Sequence, residues 1–382
     1  MPRLYSTEAL IKNTGDKPHF GEVMNELRQK LKNDIFSLCA LMSVSGFEKR
    51  AHGALSDRYG ADFDEVRSDA VGNLMLIKRC GKENAPLAVV DAHLDEIGMI
   101  VTDVCEGGFL KFTNMGGLSL AVLQGADVLI YGKETLRGVI ISTPPHLRSG
   151  DGDKLSEMSE LMIDTGYSKS TLEEIAPVGT PVGFLPVYSE LLGGRIAGKS
   201  FDDKAPAAIC AAAIADTPKN ALAADVCLML SAVEETSRLG GVAPAVLRLR
   251  PDYAMVVDVN LGAVPDTPKC ETVPVGKGVS ISLSAATDRA LSLATAKLCE
   301  KKDIPHTMIA APSSTGTNAP TVNLSGQGVA VVDVGLPLKN MHTYNEVIDL
   351  CDCEALYKLT AEFIKDKSIA ERFAANGEEL PL

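Results

Sequence analysis

The sequence has no tryptophan, and aromatic side chains make up only 5% of its 382 residues. It also lacks an apolar run as long as a transmembrane helix, and residues 1–20 are polar, without the apolar core of a signal peptide. Acidic side chains outnumber basic ones, 50 to 37, and the net charge of −13 argues against nucleic acid or an anionic membrane as a partner. A hydrophobic content of 46% still suffices for a large core, so we expect a folded chain whose length favours two domains.

Disulfide and Cys-x-x-Cys patterns are also missing. Nine cysteines are scattered along the chain, which is an odd number, and no two are separated by two residues. This usage is typical of reduced thiols in a cytosolic protein. We therefore expect a cytoplasmic location.

The first hundred residues have the patterning of an α/β fold. Helical periodicity extends over residues 20–41, and a second helix is predicted at 48–59. Short apolar runs at 63–66, 74–78 and 87–92 predict strands. These elements suggest a βαβ-like segment, preceded by a polar lead over residues 1–20 that we expect to be flexible.

The patterning changes near residue 101. Helical signals fade, and short β-like runs punctuated by glycine and proline follow, which indicates a small β-rich barrel or sandwich. The α/β pattern resumes near Gly193. We therefore predict an α/β domain formed by residues 1–100 and 193–382, with a β-rich insert at 101–192.

One predicted buried strand runs directly into His93-Leu94-Asp95-Glu96-Ile97-Gly98. Strand side chains repeat every two residues, so His93 and Asp95 point the same way. In open α/β sheets, chemistry concentrates at the carboxyl ends of strands. We interpret His93 as a metal ligand and Asp95 as the carboxylate that orients it. A hydrogen-bonded histidine at a strand end is the alternative.

Three further apolar strands lead into side chains that can bind metal. The residues that follow them are the pair Glu234-Glu235, then Asp258, then His342. Adjacent carboxylates after a buried strand are costly unless a cation or metal pairs with them, although any Glu-Glu pair can also lie in an exposed loop. Because four strands in order carry such residues, a shared metal site is favoured over separate accidents.

Another pair of carboxylates, Asp202-Asp203, opens an alanine-rich segment at 205–215 that is predicted to be helical. An aspartate is favoured at a helix N-terminus, where it caps the helix and complements its dipole. Capping accounts for one aspartate. The second suggests a carboxylate that bridges two metal ions.

Charge balance supports two divalent ions, which carry four positive charges. Asp202, Asp258 and one glutamate of the Glu234-Glu235 pair, with a bridging hydroxide, would balance them. His93 and His342 add one nitrogen donor per ion, which suits zinc or cobalt better than magnesium. The other glutamate could take a proton from the bridging water and pass it to a leaving amine. The residues thus predict amide or ester hydrolysis without deciding which glutamate binds metal.

Taken together, these motifs resemble those of the dinuclear-metal aminopeptidases of the glutamyl aminopeptidase and deblocking aminopeptidase family, some of which form tetrahedral dodecamers. The resemblance covers nearly everything after about residue 40. Its carriers are His93-Leu94-Asp95-Glu96-Ile97-Gly98, Pro144-Pro145-His146-Leu147, Phe201-Asp202-Asp203-Lys204-Ala205, Glu234-Glu235, Asp258, Asp266-Thr267-Pro268, Gly276-Lys277-Gly278, Gly316-Thr317-Asn318-Ala319 and Met341-His342.

The resemblance implies an α/β/α sandwich with a mixed sheet, and an inserted barrel-like domain that serves dimerisation. It implies aminopeptidase activity on peptides, two divalent metal ions per subunit, with zinc favoured and cobalt as the alternative, and a homo-oligomer, either a dimer or a dodecamer. It also assigns the residue roles. The metal ligands would be His93, Asp202, Glu235, Asp258 and His342, with Glu234 as general acid and base and Asp95 as the support of His93.

The sequence departs from the family pattern at three places. Thr236-Ser237-Arg238 stands where a small apolar residue and glycine are usual, Pro206 where glycine is frequent, and Asn318 where aspartate is common. None of these changes removes a ligand, so they bear on pocket shape and substrate preference. Two alternatives stay open, an inactive oligomeric scaffold and a related carboxypeptidase or deacylase.

Overall fold

The computed structural model describes residues 26–144, 156–236, 240–269, 271–311 and 315–374. Within this part of the chain, an eight-stranded mixed sheet has a hydrophobic core on each of its faces, and a six-stranded barrel has a third core of its own. None of the helices described there is both long and apolar enough to cross a membrane.

The large sheet has four parallel strands at its centre. In spatial order its strands are β1 (Glu65–Ser68), β2 (Leu74–Lys78), β12 (Asp225–Ser231), β3 (Leu87–His93), β13 (Tyr253–Leu261), β16 (Ala330–Leu338), β14 (Val279–Leu283) and β15 (His306–Ala310). Strands β12, β3, β13 and β16 are parallel, whereas β2 and β14 pair antiparallel to the outer two of these four. The four central strands are buried along nearly their whole length, which explains their continuous apolar runs.

Helices cover both faces of this sheet. The helices on one face are α1 (Glu26–Cys39), α2 (His52–Tyr59), α4 (Phe201–Asp216), α6 (Arg289–Lys301), α8 (Leu350–Phe363) and α9 (Lys367–Phe373). The helices on the other face are α5 (Val242–Leu249) and α7 (Ala319–Asn323). A small antiparallel sheet of β10 (Ser189–Leu191), β11 (Arg195–Gly198) and β17 (Glu346–Asp349) lies beside them. The predicted α/β/α class with a mixed sheet is confirmed.

The barrel follows directly after the His93 motif. Its strands are β4 (Gly98–Cys105), β5 (Phe109–Met115), β6 (Asp127–Tyr131), β7 (Thr135–Ile141), β8 (Met162–Asp164) and β9 (Pro181–Phe184), with α3 (Lys169–Ile175) between the last two. They close in the order β4-β5-β8-β7-β6-β9, and all six pairings are antiparallel, including the closing pair of β4 and β9. Apolar side chains alternate inward along β6 and β7, as the short β-like runs predicted.

Two details differ from the sequence prediction. The first segment is not a βαβ unit, because β1 and β2 form an antiparallel pair at the edge of the sheet. Strand β13 does not end before Asp258 but continues to Leu261, because β16 pairs with it along its whole length. His146 lies outside the described residues.

Helix α4 owes its position to small side chains. Its alanines are buried between the sheet and helices α1 and α8, and Ala208 is fully buried. This packing places the N-terminus of α4, with Asp202, against the carboxyl edge of the sheet.

We expect Ala208→Leu to destabilise the protein by about 1–3 kcal/mol, because the larger side chain has no space against the sheet. Ala54→Leu, at an exposed position in α2, is the matched control and should change the stability little. Denaturant unfolding of both variants measures the difference. Equal stabilities would show that α4 is not closely packed.

Candidate metal centre

The predicted site residues meet at the carboxyl edge of the four parallel strands. His93 is the last residue of β3, and Glu234 and Glu235 follow β12. Asp258 lies within β13, and His342 follows β16 in a loop. Parallel strands place their carboxyl ends at one edge of a sheet, so residues far apart in sequence become neighbours.

Asp202 is the residue shared by two groups of possible metal ligands. One group is His93, Asp202 and Asp258, and the other is Asp202, Glu235 and His342; within each group the ligand atoms lie within 4.8 Å of one another. The Oδ1 atom of Asp202 is 3.1 Å from Nε2 of His93, and its Oδ2 atom is 3.4 Å from Nε2 of His342. One carboxylate therefore faces both groups, each with a different oxygen.

The remaining ligand atoms complete the two groups. Nε2 of His93 is 3.9 Å from Oδ1 of Asp258, and Nε2 of His342 is 3.4 Å from Oε2 of Glu235. Each group thus combines one imidazole nitrogen with two carboxylates, counting Asp202 in both. Three nitrogen and oxygen donors in each group match the protein donor set of a catalytic zinc site.

The backbone around Asp202 is irregular, although it lies at the start of α4. Ser200 has a left-handed φ of 60°, the Asp202–Asp203 peptide bond is cis, and neither aspartate has helical dihedrals. Glu346, buried on β17, accepts a hydrogen bond from the Asp202 N–H with Oε2 (3.1 Å) and one from the His342 N–H with Oε1 (3.2 Å). This one carboxylate fixes Asp202 relative to His342.

Asp95 and Asp203 form hydrogen bonds with the backbone or side chains of residues that line the site. The Nδ1 atom of His93 lies 3.0 Å from the Asp95 carbonyl oxygen and 3.6 Å from its Oδ1. Asp203 accepts the backbone N–H of His93 at 3.0 Å. Asp95 also accepts the N–H groups of Glu234 and Glu235, at 3.0 and 3.1 Å. Asp95 therefore contacts both the His93 strand end and the loop with the two glutamates.

The charges of the site call for a cation. Burial raises the pKa of Asp258 and Glu235 well above the usual range, and Oε1 of Glu235 is buried without a hydrogen-bond partner in the described part of the chain. Buried carboxylates that lack a partner are costly, and a divalent ion would offset that cost. The orphaned oxygen, the shared carboxylate and the two imidazoles fit a pair of divalent metal ions.

A second charged cluster lies beneath the site. Glu96 forms ion pairs with Lys199 and with Lys204, which are both fully buried, and the Lys204 pair is 3.1 Å long. The two lysines flank Ser200 and the Asp202-Asp203 pair in sequence. Burial raises and the lysines lower the pKa of Glu96, with a net result of about 2. This cluster anchors the start of α4 to the turn after β3.

Two glycines of the barrel, in the loop after β5, lie against the site. A Cβ on Gly117 would lie 2.7 Å from Nδ1 of His342, and one on Gly116 would lie 3.4 Å from Oε2 of Glu235. The φ of Gly116 is +84°, which also favours glycine. The insert therefore forms part of the wall of the site.

Sequence reasoning gave no role to Glu48, Glu346, Lys199, Lys204 or Gly117, although Lys204 belongs to one of the motifs that carry the resemblance. The lysines had a signal, since two cations flank adjacent buried aspartates. Glu48 accepts the N–H of Val233, 185 positions away, and Glu346 accepts that of Asp202, 144 positions away, although Glu346 is only four positions from His342. No local pattern marks these two residues or Gly117.

A sequence profile of the M42 glutamyl aminopeptidase family matches residues 72–359. The chain belongs to this family. It is 28% identical over 312 residues to the lysyl aminopeptidase of Pyrococcus furiosus, which is 79% of this chain and 87% of that protein. The resemblance drawn from the motifs is confirmed.

Solved structures of M42-like aminopeptidases have the same fold. An aminopeptidase from Desulfurococcus kamchatkensis superimposes with a TM-score of 0.83 at 27% identity, covering 91% of this chain and 98% of that one. The TET1 peptidase of Pyrococcus horikoshii, described as assembling into a tetrahedron or a large octahedral shell, gives a TM-score of 0.77 at 26% identity, covering 87% and 99%. As a metallo-aminopeptidase of the M42 family, the protein is a peptide hydrolase, which favours this class over a carboxypeptidase or deacylase.

The departures from the usual M42 pattern lie beside the centre. Thr236 donates to or accepts from Ser45 through their hydroxyls at 2.7 Å, whereas residues 237–239 lie outside the described chain. Pro206 is buried in α4. Asn318 donates hydrogen bonds to Asp91 (3.1 Å) and Ser231 (3.0 Å). None of these contacts displaces a candidate ligand.

Without divalent ions, we expect the thermal stability to fall as the pH rises from about 5 to 8. Burial raises the pKa of Asp258 and Glu235, so the folded protein binds protons at these carboxyl groups more tightly than the unfolded chain does. Their contribution to the free energy of unfolding is therefore lost as the two groups ionise. Burial opposes the charge of His93, but Asp202 and Asp95 raise its pKa overall, so its contribution is likewise lost with rising pH. The lowered pKa of Asp202 matters only at more acidic pH.

Thermal unfolding in a chelator across this pH range measures the effect. Added divalent ion should reverse the slope, because metal binds the deprotonated ligands. A melting temperature that rises with pH in the chelator would contradict the electrostatic account.

Proposed function

We propose that this aminopeptidase works with two divalent ions, one held by His93, Asp202 and Asp258 and the other by Asp202, Glu235 and His342. The observation that carries the proposal is the position of Asp202, whose two carboxylate oxygens face His93 and His342 separately. When bound, a pair of divalent ions activates a water molecule and polarises the carbonyl oxygen of the substrate. The imidazole and carboxylate donors favour zinc, with cobalt as the second candidate.

Glu234 is the proposed general acid and base. It is half-buried beside the two groups of ligands, and burial raises its pKa above the ordinary glutamate value, which suits a group that accepts and then returns a proton. It takes a proton from the attacking water and delivers it to the leaving amine. Asp95 holds the Glu234 amide and orients His93, so its role is positioning.

Glu234→Gln tests this assignment. The amide keeps the size of the side chain but cannot accept the proton, so turnover of an aminoacyl amide should fall by about 10²–10⁴-fold while metal content stays unchanged. Glu235→Gln is the paired variant and should lower metal content as well. Full activity of Glu234→Gln would disprove the base assignment. A folded wild-type protein that binds metal but cleaves no peptide would favour the scaffold alternative.

The assembly is proposed to be a homo-oligomer built through the insert, residues 101–192, with a dodecamer favoured over a dimer. A related TET1 structure, described as a dodecamer, supports the twelve-subunit assembly, and the surface of the insert supports its place in the interface. Seven of the sixteen exposed large apolar side chains in the described chain lie in it; they are Leu120, Val139, Tyr167, Val178, Val187, Leu191 and Leu192. We propose that these side chains contribute to the interface between subunits.

We expect light scattering to give the mass of twelve chains, and Leu192→Asp to shift it to smaller species. Leu324→Asp is the matched control, since Leu324 is 82% exposed and Leu192 84%, but Leu324 lies outside the insert. An unchanged mass for Leu192→Asp would argue against an interface at this position.

The cytoplasm is the proposed compartment. The eight cysteines of the described chain are all free, which is typical of a reducing environment.

A further inference from the structure

Three consecutive backbone N–H groups in the loop after β12 donate to buried carboxylates. The N–H of Val233 donates to Oε1 of Glu48 at 3.0 Å. The N–H groups of Glu234 and Glu235 donate to Oδ1 and Oδ2 of Asp95 at 3.0 and 3.1 Å. The loop is thus held by two carboxylates: Glu48 binds the N–H group before the glutamate pair, and Asp95 binds the N–H groups of the pair itself.

The Val233 hydrogen bond fixes an unfavourable backbone conformation. Val233 has a φ of +52°, in the left-handed region that a β-branched residue rarely adopts. Such a conformation persists where its surroundings hold it. The turn at Val233 sets the direction in which Glu234 and Glu235 leave the strand, so a contact that holds it also sets the positions of both carboxylates.

Glu48 is itself fixed in place. Its side chain is buried, and Oε1 also accepts the Gly46 N–H at 2.8 Å. A Cβ on Gly72 would lie 3.2 Å from Oε2, so glycine at this position leaves room for the carboxylate. The segment that carries Glu48 is tied to the same loop by the bond between the hydroxyls of Ser45 and Thr236 at 2.7 Å.

We propose that Glu48 is a positioning residue for the metal centre, which through Val233 aims Glu234 at the reacting water and Glu235 at its metal ion. Burying a carboxylate costs free energy unless hydrogen bonds compensate for it. The hydrogen bonds from the N–H groups of Gly46 and Val233 provide this compensation for Glu48. The inference rests on the proposed roles of Glu234 and Glu235. It predicts an asymmetric effect, because Glu235 contributes to one group of ligands and not to the other.

Glu48→Ala tests the proposal in the full-length protein, with Co²⁺ titration followed by absorption and calorimetry. Affinity at the Glu235 site should fall about tenfold, in line with the loss of one buried hydrogen bond, while affinity at the Asp258 site is retained. The kcat of the fully loaded protein should fall about 10–100-fold with little change in KM, because small misplacements of a catalytic group are costly. Glu48→Gln keeps an acceptor oxygen and should restore most of both properties.

Asp352→Ala is the matched control. Asp352 is a fully buried carboxylate that accepts the N–H groups of Gly276 (2.7 Å) and Gly278 (2.6 Å), and none of the candidate ligands is bonded to it. Its removal should lower the melting temperature but leave both Co²⁺ affinities and kcat unchanged. Where Glu48→Ala does not fold, Glu48→Asp takes its place, since the shorter side chain cannot reach both amides and should give a smaller effect of the same kind.

The proposal is overturned when the Glu48 variants keep both affinities and kcat, or weaken both sites equally as general loosening would. Failure of the proposed function has a different signature: the wild type would bind a single ion, or Glu234→Gln would remain active. Two ions in the wild type, an inactive Glu234→Gln and an unaffected Glu48→Ala would reject this inference alone.

Discussion

The site depends on four parallel strands whose carboxyl ends meet at one edge of a buried sheet. Because β12, β3, β13 and β16 are neighbours, the residues at their ends are brought together from positions between 93 and 342. Asp202 enters from the helix layer and faces both imidazoles. Without that shared carboxylate, His93 and His342 would belong to two unrelated clusters, so the packing of α4 on the sheet is part of the metal chemistry.

Bringing so many acids together has a cost that the fold meets in two ways. Carboxylates that are not candidate ligands act as hydrogen-bond acceptors for backbone N–H groups, as Glu346 and Asp95 do. Glu96 is instead neutralised by two buried lysines. This compensation is incomplete, because within the described chain Oε1 of Glu235 and Oδ1 of both Asp91 and Asp203 are buried without a hydrogen-bond partner.

The sequence was informative wherever chemistry follows from local pattern. A buried strand that ends in His93, or in Glu234-Glu235, is visible from apolar runs, and the joint pattern predicted both the fold class and the residues that meet. The choice of Glu235 over Glu234 as ligand needed the family resemblance. Glu48 and Glu346 were not foreseeable, because each acts on backbone amides more than 140 positions away. Strand β13 was predicted too short because the pairing that extends it is also long-range.

The insert cannot be understood as an assembly module alone. The barrel begins with β4 at Gly98, five residues after His93, and its loop after β5 places Gly117 against the ring of His342 and Gly116 against Glu235. Any side chain at Gly117 would meet the imidazole, so the barrel limits how far His342 can turn. An interface that moves the barrel would therefore also move the wall of the metal centre. The contact between Gly117 and the His342 imidazole is thus a direct physical connection between the barrel and the candidate metal centre.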